Sequence, residues 1–184
     1  MTAEEFLAWD ETQTVRHEFV RGEAFAMAGA EDAHATVALN LAIALRTQIA
    51  GTPCRVYVSD MKLRVEAADA YFYPDLLVTC SPKDAASRLI KSEPMLVIEV
   101  LSRRTASFDR GDKFTAYRSI PTLQEYLLVD TSSRCCELHR KAAGGVWVPH
   151  SFGPADSLRL ASVQLTIPPE QLWAEVDPPA ALSS

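Results

Sequence analysis

The run Met95–Ser102, MLVIEVLS, limits the fold of this chain more than any other stretch. It is apolar at both odd and even positions, rich in Val, Ile and Leu, and bounded by Pro94 and Ser102. Such a run reads as a strand buried on both faces, with helices or further chain over each side of its sheet. Glu99 sits inside it. A carboxylate there is costly unless a cation accompanies it. Two partners satisfy that demand: an Arg or Lys side chain, or a metal ion. Asp75 opens an earlier apolar run, DLLVTC, directly after Pro74. A polar connector, SPKDAASRLIKSE, separates the two runs, so they are candidates for sheet neighbours. Two acids held together at low dielectric repel each other. A divalent cation between them removes that cost, and hard carboxylate oxygens suit Mg²⁺ or Mn²⁺.

The rest of the chain supplies the frame. TAEEFLAWDE opens with a capping box, Thr2 with Glu5, and predicts a short helix. RHEFVRGEAFAMAG predicts a hairpin turning at Arg21-Gly22-Glu23. The longest helix is expected over 32–50, stopped by Gly51 and Pro53. Its apolar stripe carries His34, read as a core histidine. CRVYVSDMKLRVE reads as one strand bent near Ser59-Asp60, and YFYPDLLVTC as one strand starting at Pro74 or just after it. Asp109 is a good N-cap for a helix running to about Ser119, with Tyr117 as a packing residue. EYLLVD follows Pro121 as another apolar strand. A strand, a helix and a strand in this order predict a parallel pair joined by a crossover. CCELHRK and VWVPHSF form a C-terminal hairpin around a Gly-rich turn. One or two short strands from SLRLASVQLTI and a closing helix from PPEQLWAEV complete the chain. The expectation is one α/β or α+β domain over residues 1–176, a mixed β-sheet flanked by helices, with a loose tail over 177–184.

Composition excludes several classes. At 184 residues, 48% hydrophobic and 23% charged, the chain is an ordinary globular protein, and no apolar run reaches membrane-span length. The acidic start, MTAEEFLAWDE, has no signal-peptide character, so a cytoplasmic location is expected. A net charge of −6 argues against a general nucleic-acid coat. It leaves room for an enzyme that meets phosphate at one local site. Cys54, Cys80, Cys135 and Cys136 lack zinc-site spacing and read as small thiols in a reducing compartment.

YPDLLV, EPMLVIEVLSRRT and DRGDKFTAYRSIPTLQEYLLVD, in that order, resemble the Uma-type restriction endonuclease family of the PD-(D/E)XK nuclease superfamily. HEFVRGEAF, the helix from near His34 and LASVQLTIPPEQLW extend the resemblance over nearly the whole chain. The resemblance implies a restriction-endonuclease-like core in which Asp75 and Glu99 bind Mg²⁺ (or Mn²⁺) to hydrolyse DNA phosphodiesters. The superfamily lysine, two residues after Glu99, would fall on Leu101. Lys113 stands where the family typically has a lysine and looks like a relocated catalytic one. Glu18 matches a glutamate in the family's opening, as an outer metal ligand. The backbone carbonyl of Val100 adjoins Glu99 and is a further candidate ligand. Lys62, Arg64, Arg103 and Arg104 are the basic residues expected near a phosphate backbone; the role of Asp60 is open. The alternative is an inactive member of the fold that binds DNA or a protein, or a purely structural module. With no separate recognition domain, a homodimer or higher homo-oligomer is expected, with Val146 and Trp147 as its surface.

Overall fold

The computed structural model describes residues 1–27, 29–102 and 105–177. Its strands are β1 (His17–Val20), β2 (Glu23–Ala26), β3 (Arg55–Val58), β4 (Lys62–Val65), β5 (Ala70–Phe72), β6 (Leu76–Thr79), β7 (Ile90–Lys91), β8 (Leu96–Leu101), β9 (Glu125–Asp130), β10 (Cys135–Lys141), β11 (Trp147–Phe152), β12 (Leu158–Leu160) and β13 (Leu165–Ile167). Its α-helices are α1 (Ala3–Asp10), α2 (Asp32–Gln48), α3 (Pro82–Ala86), α4 (Ala106–Phe108), α5 (Phe114–Tyr117) and α6 (Pro169–Leu172). A π-helical turn, Asp109–Lys113, joins α4 and α5 into one helical run.

The LVIEVL segment becomes β8, with every residue buried. It lies inside a six-stranded sheet of order β11-β10-β9-β8-β6-β3. β8 runs parallel to β9 and antiparallel to β6. The helical run 106–117 is the crossover between the parallel strands, as the sequence predicts. Alternation along β8 splits its side chains between two cores. Leu96, Ile98 and Val100 pack with Val37, Leu41 and Leu45 of α2. Val97 and Leu101 pack with Tyr117, Tyr126 and Leu128 on the opposite face. Each fully buried aliphatic side chain contributes about 1.5–3 kcal/mol of transfer free energy. Glu99 shares the second face, between Val97 and Leu101.

A second sheet, of order β2-β1-β5-β4-β7, carries the N-terminal hairpin, and β12 pairs with β13 in a small third ribbon. The capping box holds: Thr2 accepts from the Glu5 N–H, and Glu5 accepts from the Thr2 N–H. α1 then packs Phe6 against Phe19 of β1.

Two expected strands divide. CRVYVSDMKLRVE gives β3, at the edge of the large sheet, and β4, in the second sheet. The break falls at Ser59, whose φ of 40° takes the backbone into the left-handed region. YFYPDLLVTC gives β5 in the second sheet and β6 in the large one, separated at Pro74, which has no N–H for a ladder. At each of these two breaks the chain passes from one sheet to the other. The two crossings touch, the Ser59 N–H donating to the Asp75 carbonyl at 2.9 Å. The expected polar connector contains α3 and β7, and the closing helix is only the short α6.

Other expectations are corrected. Asp109 does not cap a helix; it lies inside the helical run and is buried. Cys54 and Cys80 are not free thiols. They oppose each other beyond the Arg55↔Thr79 pair of the β3–β6 ladder, Cα atoms 3.9 Å apart, and form a disulfide. Cys135 and Cys136 are free. In the C-terminal hairpin Val146 is exposed, but Trp147 packs edge-on against Phe114 at 5.8 Å and is partly buried. Of the expected loose tail, residues 178–184 lie outside the described residues, as do Arg103 and Arg104. Among the described residues no helix is long and apolar enough to cross a membrane.

Candidate active site

The β6–β8 register pairs Leu76 with Ile98 and Leu77 with Val97. Continued by one residue, it sets Asp75 opposite Glu99, and opposed residues of an antiparallel pair share a face. Both line one cleft of about 1400 Å³, together with Glu18, His34, Val100, Asp109 and Lys113. That exceeds the usual range of small-molecule pockets, about 300–1,000 Å³. The cleft opens at the seam between the two sheets. β1 brings Glu18 to it, β6 and β8 bring Asp75 and Glu99, and the crossover brings Asp109 and Lys113.

Lys113 is the hub. Its ammonium lies 2.9 Å from Glu18 Oε1, 3.1 Å from Glu99 Oε1 and 3.3 Å from Asp109 Oδ1. The rings of Phe72 and Phe108 approach it at 5.7 and 5.8 Å, within reach of cation–π attraction. Lys113 is only 5% exposed and Glu99 4%. Glu99 Oε1 also accepts a hydrogen bond from the Tyr117 hydroxyl at 2.9 Å. Glu18 accepts from the Tyr73 N–H at 3.3 Å, which ties the hairpin to the β5–β6 crossing. Asp109 and Lys113 are four residues apart, and the π turn between them is a geometry frequent at functional sites.

Asp75 is held differently. Its Oδ2 accepts from the Val100 N–H at 2.7 Å, and its Oδ1 accepts from His34 Nε2 at 2.9 Å. His34 is therefore not a core histidine. The first turn of α2 delivers it to the cleft, and its other ring nitrogen, Nδ1, is buried without a partner.

The charges are unbalanced. Four carboxylates, Glu18, Asp75, Glu99 and Asp109, share one ammonium and one imidazole. Burial drives the Glu99 carboxyl well above the usual range, and Lys113, divided among three acids, offsets only part of this. Burial works against the Lys113 ammonium too, but Glu99, Glu18 and Asp109 together outweigh it and hold the lysine protonated beyond its ordinary value. Burial, then the Glu99 charge, keeps Tyr117 a protonated donor. The hydrogen bond to Asp75 raises His34, against the effect of burial. A first prediction follows from this raised pKa. His34 contributes stability that is complete below the unfolded value, about 6.5, and lost as pH rises through the folded one. An NMR titration of the His34 ring is expected to show a midpoint above that value. The midpoint should fall in Asp75→Asn, and an unchanged midpoint would remove Asp75 as its cause.

Every expected site residue thus lines one cleft: Asp75, Glu99, Lys113, Val100 and Glu18. Asp109, Tyr117 and His34 join them with roles the sequence reading did not give them. The spacing of Asp109, one helical turn before Lys113, was the available signal. Of the basic residues expected near a phosphate backbone, Lys62 lines the same cleft and pairs with Asp10 at 2.9 Å, Arg64 pairs with Glu66 and Asp69, and Arg103 and Arg104 lie outside the described residues. Asp60 pairs with Arg16 at the surface. Among the described residues, no three His, Cys, Asp or Glu side chains are arranged to hold a metal ion. The donors fit such an ion in kind: hard oxygens of Asp75 and Glu99, and a buried Asp109 Oδ1 that makes no hydrogen bond.

Comparison with known proteins identifies a family and a fold neighbour. Residues 3–173 match the model of a family, Uma2, described as "Putative restriction endonuclease". Two uncharacterized proteins of Synechocystis sp. (strain PCC 6803) are similar. One, slr1290, is 36% identical over 166 residues, covering 90% of this chain and 87% of that protein. The other, sll1609, is 38% identical over 150 residues, covering 80% and 85%. The crystal structure of a "putative nuclease belonging to DUF820" from Anabaena variabilis has the same fold. It superposes with a TM-score of 0.79 at 14% identity, covering 94% of this chain and 97% of that one.

Proposed function

This chain belongs to the Uma2 family, and from that premise we propose that it is a metal-dependent endonuclease that hydrolyses DNA phosphodiester bonds. The observation that carries the reading is the Glu99–Lys113 cluster, buried at the base of a cleft that Asp75 also lines. Asp75 and Glu99 would hold Mg²⁺ or Mn²⁺, with the Val100 carbonyl and Glu18 as further donors. Such an ion, when bound, lowers the pKa of a coordinated water and neutralises phosphoryl charge.

The chain's own residues do the rest. His34 and the Val100 N–H fix both oxygens of Asp75, and Tyr117 fixes Glu99. Lys113 remains an ammonium, so it acts by electrostatics on the charge that develops at the phosphoryl oxygens, not as a base. Phe72 and Phe108 shield it from water, which strengthens that interaction. A homodimer or higher homo-oligomer is part of the proposal, with the exposed Val146 of the C-terminal hairpin as a surface for it.

One observation favours the second reading, a nucleic-acid- or protein-binding member without catalysis: the acids already have a cation in Lys113. The assay separates the two. Wild type is expected to cleave mixed DNA substrates in Mg²⁺ or Mn²⁺, and Asp75→Asn to retain less than about a hundredth of the rate. Its melting temperature should stay within a few degrees of wild type. Cleavage equal in both proteins would assign the activity to a contaminant. No cleavage, together with no heat on calorimetric titration with Mn²⁺, would leave the binding reading.

A further inference from the structure

The cleft carries information about the form of nucleic acid it takes, an inference that rests on the nuclease reading of the same site. Among the described residues, its cations are already paired. Arg16 pairs with Asp60 at 2.6 Å, Lys62 with Asp10 at 2.9 Å, and Lys113 with three acids. A duplex offers its phosphates outward and keeps its bases stacked inside, so a duplex-binding wall wants unpaired cations. This wall offers apolar surface instead. Phe25, on the edge strand β2, is 48% exposed, and Leu39, on α2, is 59% exposed. Beside Leu39, α2 adds the small side chains of Ala35, Ala38 and Ala42 to the lining. The base of the cleft also favours a flexible strand over a rigid rod. The groups that must meet the scissile phosphate, Glu99 and Lys113, are almost wholly buried.

We propose that the cleft binds single-stranded nucleic acid, with Phe25 as a platform on which an unpaired base stacks while the flexible backbone reaches down to Asp75 and Glu99. An unpaired strand exposes the π-faces that an aromatic platform takes, whatever the sequence. It also bends enough to bring one phosphate to the base of a cleft. Stacking, not phosphate pairing, then supplies most of the affinity, as a chain of net charge −6 requires.

The test uses the full chain and a fluorescein-labelled oligothymidine, beside a blunt duplex of equal length. Binding is read by fluorescence anisotropy, with chelator and with Ca²⁺, and cleavage of both substrates with Mn²⁺. The single strand is expected to bind at least ten times more tightly than the duplex. Phe25→Ala should weaken single-strand binding roughly ten-fold, and Phe25→Trp should retain it. Since Phe25 is half-exposed, both variants should melt with wild type. The log–log salt slope should be shallower than about −2, since few phosphates are paired. Tighter binding of the duplex, a steep salt slope, or an unaffected Phe25→Ala would overturn the inference. So would a Phe25→Ala or Leu39→Asp protein that sediments as a smaller species than wild type with single-strand binding unchanged, because a second copy would then cover this wall. The two readings fail separately. Preferred cleavage of the duplex removes the single-strand inference and keeps the nuclease. Tight single-strand binding without cleavage in any metal removes the nuclease and keeps the binding site.

Discussion

Lys113→Met is expected to unfold at a far lower denaturant concentration than wild type at pH 7, and to lose all cleavage. Methionine keeps most of the stem and its packing between Phe72 and Phe108. It removes the one cation that Glu18, Glu99 and Asp109 share. Breaking a buried ion pair from one side costs about 3–5 kcal/mol, because the other charge is left unpaired. Here three acids are left, so the upper part of that range is expected. For a chain of this size that corresponds to a fall in melting temperature of roughly 10 °C or more. The pH dependence identifies the cause. In the variant the stranded carboxylates titrate higher than in the unfolded chain, so their ionisation opposes folding. That penalty is absent at low pH and grows as pH rises through the folded-state values. The gap between variant and wild type should therefore narrow steadily from pH 8 to pH 5 in paired denaturation curves. A gap that is small, or constant with pH, would show that the lysine does not bind the acids together.

Glu99→Gln is expected to move the two properties in opposite directions. Cleavage should fall by about a thousand-fold or more, as for loss of a group that stabilises the transition state. Stability at neutral pH should be unchanged or higher. The glutamine oxygen still accepts from Tyr117, and Lys113 still has Glu18 and Asp109. What disappears is the buried charge. The folded carboxyl of Glu99 lies well above its unfolded value, so its ionised form destabilises the fold. Its stabilising state is the protonated one, complete at low pH and lost as pH rises through the unfolded and then the folded pKa. The measurement is a pair of thermal melts, with chelator and with Mn²⁺, for both proteins. Wild type should gain from the ion by mass action and the variant should gain little. A variant markedly less stable than metal-free wild type would mean that Glu99 serves the Lys113 ion pair alone.

Much of this site was legible in the chain before any fold was seen. An acid inside MLVIEVLS demands a partner wherever the strand lies, and hydrophobic period alone makes it a central strand. The parallel β8–β9 pair, the two terminal hairpins and the first helix follow from equally local signals. The features that escaped are those set between elements. CRVYVSDMKLRVE alternates along its length, and alternation does not say which sheet a residue joins. Only the left-handed Ser59 and the imino nitrogen of Pro74 divide the strands. His34 sits on a helical stripe that packs into the core through Val37, Leu41 and Leu45, but at its first turn that stripe lines the cleft, where His34 meets Asp75. Asp109 has the composition of an N-cap, and the π turn that buries it has no signature in a single sequence. The Cys54–Cys80 pairing depends on the register of two strands, which spacing does not supply.

The seam where β3 gives way to β4 and β5 to β6 has a consequence for how the molecule matures. Glu18, His34, Asp75 and Lys113 are brought together only when the N-terminal hairpin, α2 and the crossover have all docked along that seam. Contacts so distant along the chain close late in folding, after local hairpins and helices have formed. A nascent or partly folded chain would on this basis have its central strand before its cluster of acids and lysine is assembled. A protein able to sever nucleic acid would in this way be harmless while it is being made. It would be disarmed again by any opening of the seam, well before the six-stranded sheet itself gives way.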